Sequence, residues 1–217
     1  PMGAQVGYVA DGIFKSQEEI DNHATQDGAG IGRIRWKDID HNGKITEADQ
    51  EWIYNPVPDF MYGFNIYLEY KNFDFTAFFQ GVQGVDIISD LKKETDIWAG
   101  LNIGFLNKGK RLLDAWSVNN PDSNIPALSL SDNNNEKRVS SYWVENGSYL
   151  KLRTIQLGYN FPQSIASKLA MQRLRMYVSA QNLFTIKSSS FTGVDPENPN
   201  YGYPIPLNIT FGLNVTF

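Results

Sequence analysis

One short segment has the residue types and the spacing to hold a hard cation. Asp38, Asp40, Asn42, Gly43, Lys44, Thr46 and Asp49 stand at positions 1, 3, 5, 6, 7, 9 and 12 of a loop of the EF-hand kind. Oxygen donors at alternate residues can wrap one Ca²⁺ ion. Gly43 permits the sharp turn, and Lys44 would supply its backbone carbonyl. Asp49 stands where a bidentate Glu is usual, which shortens the reach, and 33–36 reads as strand where an EF-hand has its entering helix. The same residues also suit a metal-free, hydrogen-bonded Asx-rich turn. Calcium and turn therefore stand side by side as readings of this segment.

Little else in the chain offers chemistry. Cysteine is absent from all 217 residues, which excludes disulfides, thiolate metal sites and cysteine nucleophiles, and the two histidines, His23 and His41, further limit zinc or triad chemistry. No phosphate-binding glycine loop and no nucleophile–base pair occurs, and Glu18 and Glu19 are neighbours on one segment rather than carboxylates across a cleft. The chain reads as a non-enzyme with no catalytic residue. Nineteen basic against twenty-four acidic residues give a net charge of -5, which argues against nucleic acid as a partner. Aromatic residues make up 13% of the chain, and Trp98, Trp116, Tyr142, Trp143, Tyr201 and Tyr203 fall in long stretches between strands. Their faces suit stacking on sugar rings or peptide side chains, and equally the packing of loops on one another.

The elements that must position these residues are strands. Leu207, Ile209, Phe211, Leu213, Val215 and Phe217 alternate without a break with Asn208, Thr210, Gly212, Asn214 and Thr216. At about 3.3 Å per residue an eleven-residue strand reaches roughly 36 Å, and a 45° tilt projects that to about 25 Å, the height of a barrel's apolar band. Phe60 to Tyr70 repeats the pattern over the same length. Lys71-Asn72 then makes a two-residue hairpin turn, with Asn72 the residue expected to accept positive φ, before Phe73, Phe75, Ala77 and Phe79 resume it. Residues 173–181 and 149–160 form two more strands. In the latter, Leu150 and Leu152 are out of phase with Ile155, Leu157 and Tyr159, so a bulge is expected near Arg153. Gln5 to Ala10 is a weaker sixth strand.

Connections alternate in length: long over 11–59, short at Lys71-Asn72, long over about 82–148, short around 161–172, long over 184–206. Outer-membrane barrels have this asymmetry, with short periplasmic turns and long extracellular loops. Tyr70, Phe73, Tyr159, Phe161 and Phe217 then collect at the short-turn end, as an interfacial girdle would, and the segment 38–49 falls outside the cell. No apolar run approaches the ~20 residues of a membrane helix. The chain begins at Pro1 with no export signal in view, so it reads as an internal cut. The expected fold is all-β, an antiparallel transmembrane β-barrel segment of about six long strands. The rival is a secreted, calcium-stabilised β-sandwich that binds carbohydrate, whose strands usually run only five or six residues. A dockerin-like adaptor is a further rival, with one such loop where two would be expected.

Several blocks, in order, resemble the C-terminal β-barrel portion of SusC/RagA-type TonB-dependent outer-membrane transporters. They are residues 7–14 followed by 16–20, Asp38 to Thr46, Pro58 to Asn65, Phe78 to Gly81, Arg138 to Ser140 with Trp143 to Arg153, Leu157 to Tyr159, Ser179 to Phe184, and Gly193 to Glu197. The resemblance covers nearly the whole of 1–217. It implies a 22-stranded barrel with a plug, importing oligosaccharides or peptides beneath a SusD-like surface lipoprotein and drawing energy from the TonB complex through an N-terminal region. Plug, TonB box and N-terminal strands are missing here, so the chain reads as a fragment whose apolar faces meet outer-membrane lipid. Phe217 at the end of an alternating strand resembles the C-terminal signal read in barrel assembly.

Overall fold

The computed structural model describes residues 3–96, 109–129, 134–199 and 203–217. Along the chain run β1 (Gln5–Tyr8), β2 (Ala10–Ile13), α1 (Gln17–Asp21), β3 (Ile34–Trp36), β4 (Gln50–Tyr54), β5 (Phe60–Tyr70), β6 (Phe73–Gln83), β7 (Asp86–Ile88), α2 (Asp90–Asp96), β8 (Val144–Asn146), β9 (Tyr149–Asn160), α3 (Gln163–Ala166), β10 (Arg173–Lys187) and β11 (Asn208–Thr216). They divide into two compact units. One comprises 1–57, 86–146 and 199–201, the other 58–85, 147–198 and 202–217.

The second unit is one antiparallel sheet in the order β11-β10-β9-β6-β5, an up-and-down meander in which every neighbour in space is the next wall strand in sequence. Register joins Ile66 to Ala77, Ala77 to Ile155, Ile155 to Ala180 and Ala180 to Ile209, one apolar row across five strands. The bulge falls where the phase break put it. Phe78 pairs with Thr154 and Phe79 with Leu152, which leaves Arg153 as the extra residue and brings Leu152 onto the same face as Ile155. The hairpin turn differs in one detail: Lys71 takes the positive φ, at 55°, and Asn72 does not. Tyr70, Phe73 and Tyr159 lie in one row at the short-turn end, with the Phe73 and Tyr159 ring centroids 4.8 Å apart.

Much of the apolar face lies bare, although Ala77 and Leu152 are covered by their neighbours. Phe64 is 44% exposed and Leu213 64%, and among the described residues no second sheet covers them. A sandwich core would bury this face, so the sandwich architecture is excluded and a barrel wall remains. Five strands do not close a barrel by themselves. No helix among the described residues is long and apolar enough to cross a membrane, a criterion that does not bear on strands.

Gln5–Ala10 is not a sixth wall strand. Its β part is four residues long and pairs with β4 in the other unit, where Gly7 packs so closely that a Cβ would sit 2.6 Å from the Val139 carbonyl oxygen. Without sustained alternation it has no second face for lipid. This first unit is built from small ribbons, β1–β4, β2–β3 and β7–β8, so the two longest connections are folded.

Buried at the heart of that unit are Phe14, Ile34 and Trp36. β3 pairs with β2 on one edge only, and its other edge is completed by side chains. Gln26 Oε1 accepts from Trp36 N (2.9 Å) and Gln26 Nε2 donates to Ile34 O (2.8 Å), while Glu136 Oε1 accepts from Ile34 N (3.1 Å). Asn134 Nδ2 donates to the same Ile34 carbonyl at 2.9 Å. Buried backbone groups left unpaired cost ~1–3 kcal/mol each. Glu136→Leu, which also strips the nearly buried Arg33 of its 3.1 Å ion-pair partner, is therefore expected to destabilise this unit by at least about that amount, read as an earlier urea midpoint for protease protection. A midpoint equal to wild type would show that water replaces the carboxylate.

Candidate functional site

The loop between β3 and β4 brings three carboxylates together. One oxygen each from Asp38, Asp40 and Asp49 lies within 4.8 Å of the others. Asp49 is fully buried; its Oδ1 accepts from Ile39 N at 2.8 Å and its Oδ2 from Thr46 N at 2.7 Å. Burial by itself would raise the Asp49 carboxyl, but the N–H groups of Thr46, Ile39 and Asp40 outweigh it and hold the group below the usual carboxylate range. Thr46 caps the short 3-10 turn Glu47–Asp49 in a reciprocal capping box with Asp49.

The remaining ligand candidates are engaged locally. Asn42 Oδ1 accepts from Lys44 N (2.8 Å) and its Nδ2 donates to Asp40 Oδ2 (2.7 Å), the pattern of an Asx turn. Gly43 sits at φ 79° with open space around its missing Cβ, and its N–H donates to Asp38 Oδ2 at 2.9 Å. The other Asp38 oxygen, Oδ1, is buried and has no hydrogen-bond partner among the described residues. A buried carboxylate oxygen without a donor is costly. A cation placed among the three carboxylates would remove that cost, so the donor set fits calcium chemistry.

Four of the six aromatic candidates fall among the described residues. Trp98 and Tyr201 lie outside the described residues. Trp143 is a core residue, 1% exposed, packed against Ile88 and Tyr142 with its Nε1 donating to Arg138 O at 3.1 Å. Those neighbours leave it no free face for a ligand; its role is packing. Tyr142 sits edge-on to Trp143 with centroids 4.8 Å apart. Trp116 belongs to the same unit as these two and lies against Gly32, whereas Tyr203, 97% exposed, belongs to the other. Phe217 is also exposed, at the end of β11.

On the sheet, the face opposite the apolar rows is polar. Register groups Glu69, Asp74 and Gly158, then Thr76, Gln156 and Ser179, then Gln80 and Lys151. Arg175 clamps Asp74 with two bonds, Nε to Oδ2 at 2.9 Å and Nη2 to Oδ1 at 2.5 Å, and Asn160 Nδ2 adds a third at 3.1 Å. The clamp spans β9 over Gly158, where a Cβ would stand 2.4 Å from Arg175 Nη2. Glycine leaves the room for it. Bare apolar rows on one side and a hydrogen-bonded polar surface on the other are what lipid outside and water inside demand of a barrel strand.

No family model matches the chain. Among curated proteins it is 35% identical to TonB-dependent receptor P3 of Formosa agariphila, over 100% of the chain and 22% of that protein. It is 27% identical to TonB-dependent receptor SusC of Bacteroides thetaiotaomicron, over 98% of the chain and 20% of SusC. A structure of the RagAB peptide transporter superposes with a TM-score of 0.75 at 23% identity, covering 99% of the chain and 22% of that one. The chain belongs to the TonB-dependent receptors of SusC/RagA type. It spans about a fifth of the length of the curated relatives it matches.

This receptor segment also fastens its last long loop to its own wall, a feature that periodicity did not reveal. Lys151 on β9 is fully buried, and its Nζ donates to Asp195 Oδ2 at 2.7 Å and to Glu197 Oε2 at 2.5 Å. Tyr149 Oη donates to Glu197 Oε1 at 2.7 Å, and Arg153, the bulge residue, bonds the same carboxylate and Gln80. The available signal was a lysine between Leu150 and Leu152 in a strand that otherwise alternates, with two acidic residues around Pro196 downstream. Only the fold pairs them.

Proposed function

We propose that residues 1–217 form the C-terminal part of the barrel wall of an outer-membrane, TonB-dependent importer of oligosaccharides or peptides. The reading rests chiefly on one observation: five long strands present a continuous, largely exposed apolar face backed by a polar one. RagAB is a peptide transporter and SusC a TonB-dependent receptor, which supports nutrient import and leaves glycan and peptide both open. A SusD-like lipoprotein lids the barrel, and the TonB complex acts through a region of the receptor not contained in this chain. The chain's own residues form wall and loops and carry no catalytic group.

The full-length receptor tests this. Uptake of labelled oligosaccharides and oligopeptides should require TonB and the lipoprotein, and uptake indifferent to both would sink the reading. Phe217 acts in this proposal as part of the signal for barrel assembly, and normal outer-membrane levels after its deletion would remove that role.

The segment 38–49 holds Ca²⁺ through Asp38, Asp40, Asn42, the Lys44 carbonyl, Thr46 and Asp49. The ion supplies charge neutralisation for three crowded carboxylates and ties the loop together. With a Kd in the 10⁻⁴ M range of extracellular sites, calcium at about a hundredfold excess over Kd should stabilise the fold by ~2.7 kcal/mol. Calorimetric titration is expected to show heat and a raised Tm in wild type and neither in Asp38→Asn. An absence of heat in wild type would leave the segment as a hydrogen-bonded turn.

A further inference from the structure

A cavity of about 400 Å³ in the first unit is lined by Lys92, Arg111, Asn124, Ser141 and Tyr142, among others. Its volume falls within the range of small-molecule sites. Lys92, at the start of α2, is half-buried. Its ammonium lies 4.0 Å from the centroid of the Tyr142 ring and donates to the Tyr142 carbonyl. No carboxylate lies within 4.0 Å of it among the described residues. An ammonium has three donors, so two remain unspent. Burial, then the positive charge of Arg111, lower the Lys92 pKa, while the charges of Glu145 and Asp96 act in the opposite sense.

The other polar groups leave donors open as well. Arg111 gives one N–H to Asp96, which also accepts from Tyr142 Oη at 3.3 Å, and a guanidinium has four N–H groups beyond that one. The Asn124 side-chain amide is exposed and makes no hydrogen bond among the described residues. Ser141 Oγ is engaged with Ala10 N at 2.9 Å. The cavity thus gathers two cations and an amide with N–H groups unspent, and no Asp or Glu is among the residues that line it. A half-buried cation short of acceptors is unfavourable unless an anion completes it.

We propose that this cavity binds the carboxylate of a small acidic ligand, a sugar acid or a peptide terminus, with Lys92 and Arg111 as the charged contacts and Asn124 as a neutral donor. The proposal narrows the substrate class within the import reading, but the binding itself does not rest on that reading. Tyr142 then serves as the platform that holds the Lys92 ammonium in place, a cation–π contact strengthened by its burial.

The experiment is calorimetric binding to the full-length receptor with three probes: a galacturonate disaccharide, its methyl ester and diglycine. The acid is expected to bind at least about tenfold tighter than the ester, the size of one charge-assisted hydrogen bond. Lys92→Gln should erase that difference without weakening the ester, and Lys92→Arg should keep it. Diglycine bound with the same dependence on Lys92 identifies a peptide source, and the uronate alone a sugar acid; either upholds carboxylate recognition. Equal binding of acid and ester in wild type overturns it, as does a preference that survives Lys92→Gln. Outer-membrane abundance of each variant guards against misfolding, and TonB-dependent uptake of neutral nutrients reports on import separately.

Discussion

Ile209→Arg in the full-length receptor should sharply reduce the folded fraction in the outer membrane, whereas Gln156→Arg on the opposite face should leave it almost unchanged. Ile209 belongs to the row Ile66, Ala77, Ile155, Ala180 and is largely exposed on the apolar face, near the middle of the strands. An arginine at a bilayer midplane costs ~2–4 kcal/mol, and one near the interface only ~0–1. The loss should therefore fade along β11 from Ile209 through Leu213 to Phe217. Gln156 lies with Thr76 and Ser179 on the polar side, where a long charged side chain finds water. Heat-modifiable gel mobility of outer-membrane fractions reads the folded fraction. Equal tolerance on both faces, or no gradient along β11, would mean that lipid does not touch these rows.

The second large effect is expected at the loop tether. Asp195→Asn combined with Glu197→Gln leaves the Lys151 ammonium fully buried without a counter-charge, a loss of ~3–5 kcal/mol for breaking such a pair from one side. Lys151→Met removes the buried charge itself and leaves two carboxylates with partial access to water, one still bonded by Arg153 and Tyr149. It should cost clearly less. Thermal unfolding ranks the two variants, and the opposite order would refute the electrostatic account.

Acid should release the same tether. Burial raises the Glu197 carboxyl, but the bonds from Lys151, Tyr149 and Arg153 prevail and hold it below its ordinary 4.5. A group whose folded pKa is depressed contributes its full stability above the unfolded value and loses it as pH falls through the folded one. Protease cleavage within 188–199 is thus expected to stay slow down to about pH 4.5 and to accelerate below it. Cleavage that is independent of pH across that window would assign the restraint to packing of the loop.

Most of the wall could be read because strand alternation is local: a side chain's face depends on its neighbours two residues away. Even the Arg153 bulge showed as a slip of phase between Leu152 and Ile155. The cluster of Asp38, Asp40 and Asp49 was legible for the same reason, since the three lie within twelve consecutive positions. The weak strand at Gln5–Ala10 misled because four alternating residues fit a ribbon as well as a wall. Trp143 misled because composition does not reveal whether a ring in a long connection faces inward, and here it is a core residue.

The amino-acid order alone determined the periods, the turn positions and the spacing of acidic residues, because each follows from bonds and sterics among near neighbours. Tertiary structure decided the partnerships across long separations. Asn134 and Glu136 complete the edge of β3 from a segment about a hundred residues away, Lys151 finds Asp195 and Glu197, and Lys92 meets Tyr142 and Arg111 around one cavity. A buried charge or amide needs a partner whose place in the chain no local rule specifies. Only folding, which makes an unpaired polar group expensive, selects which one it meets.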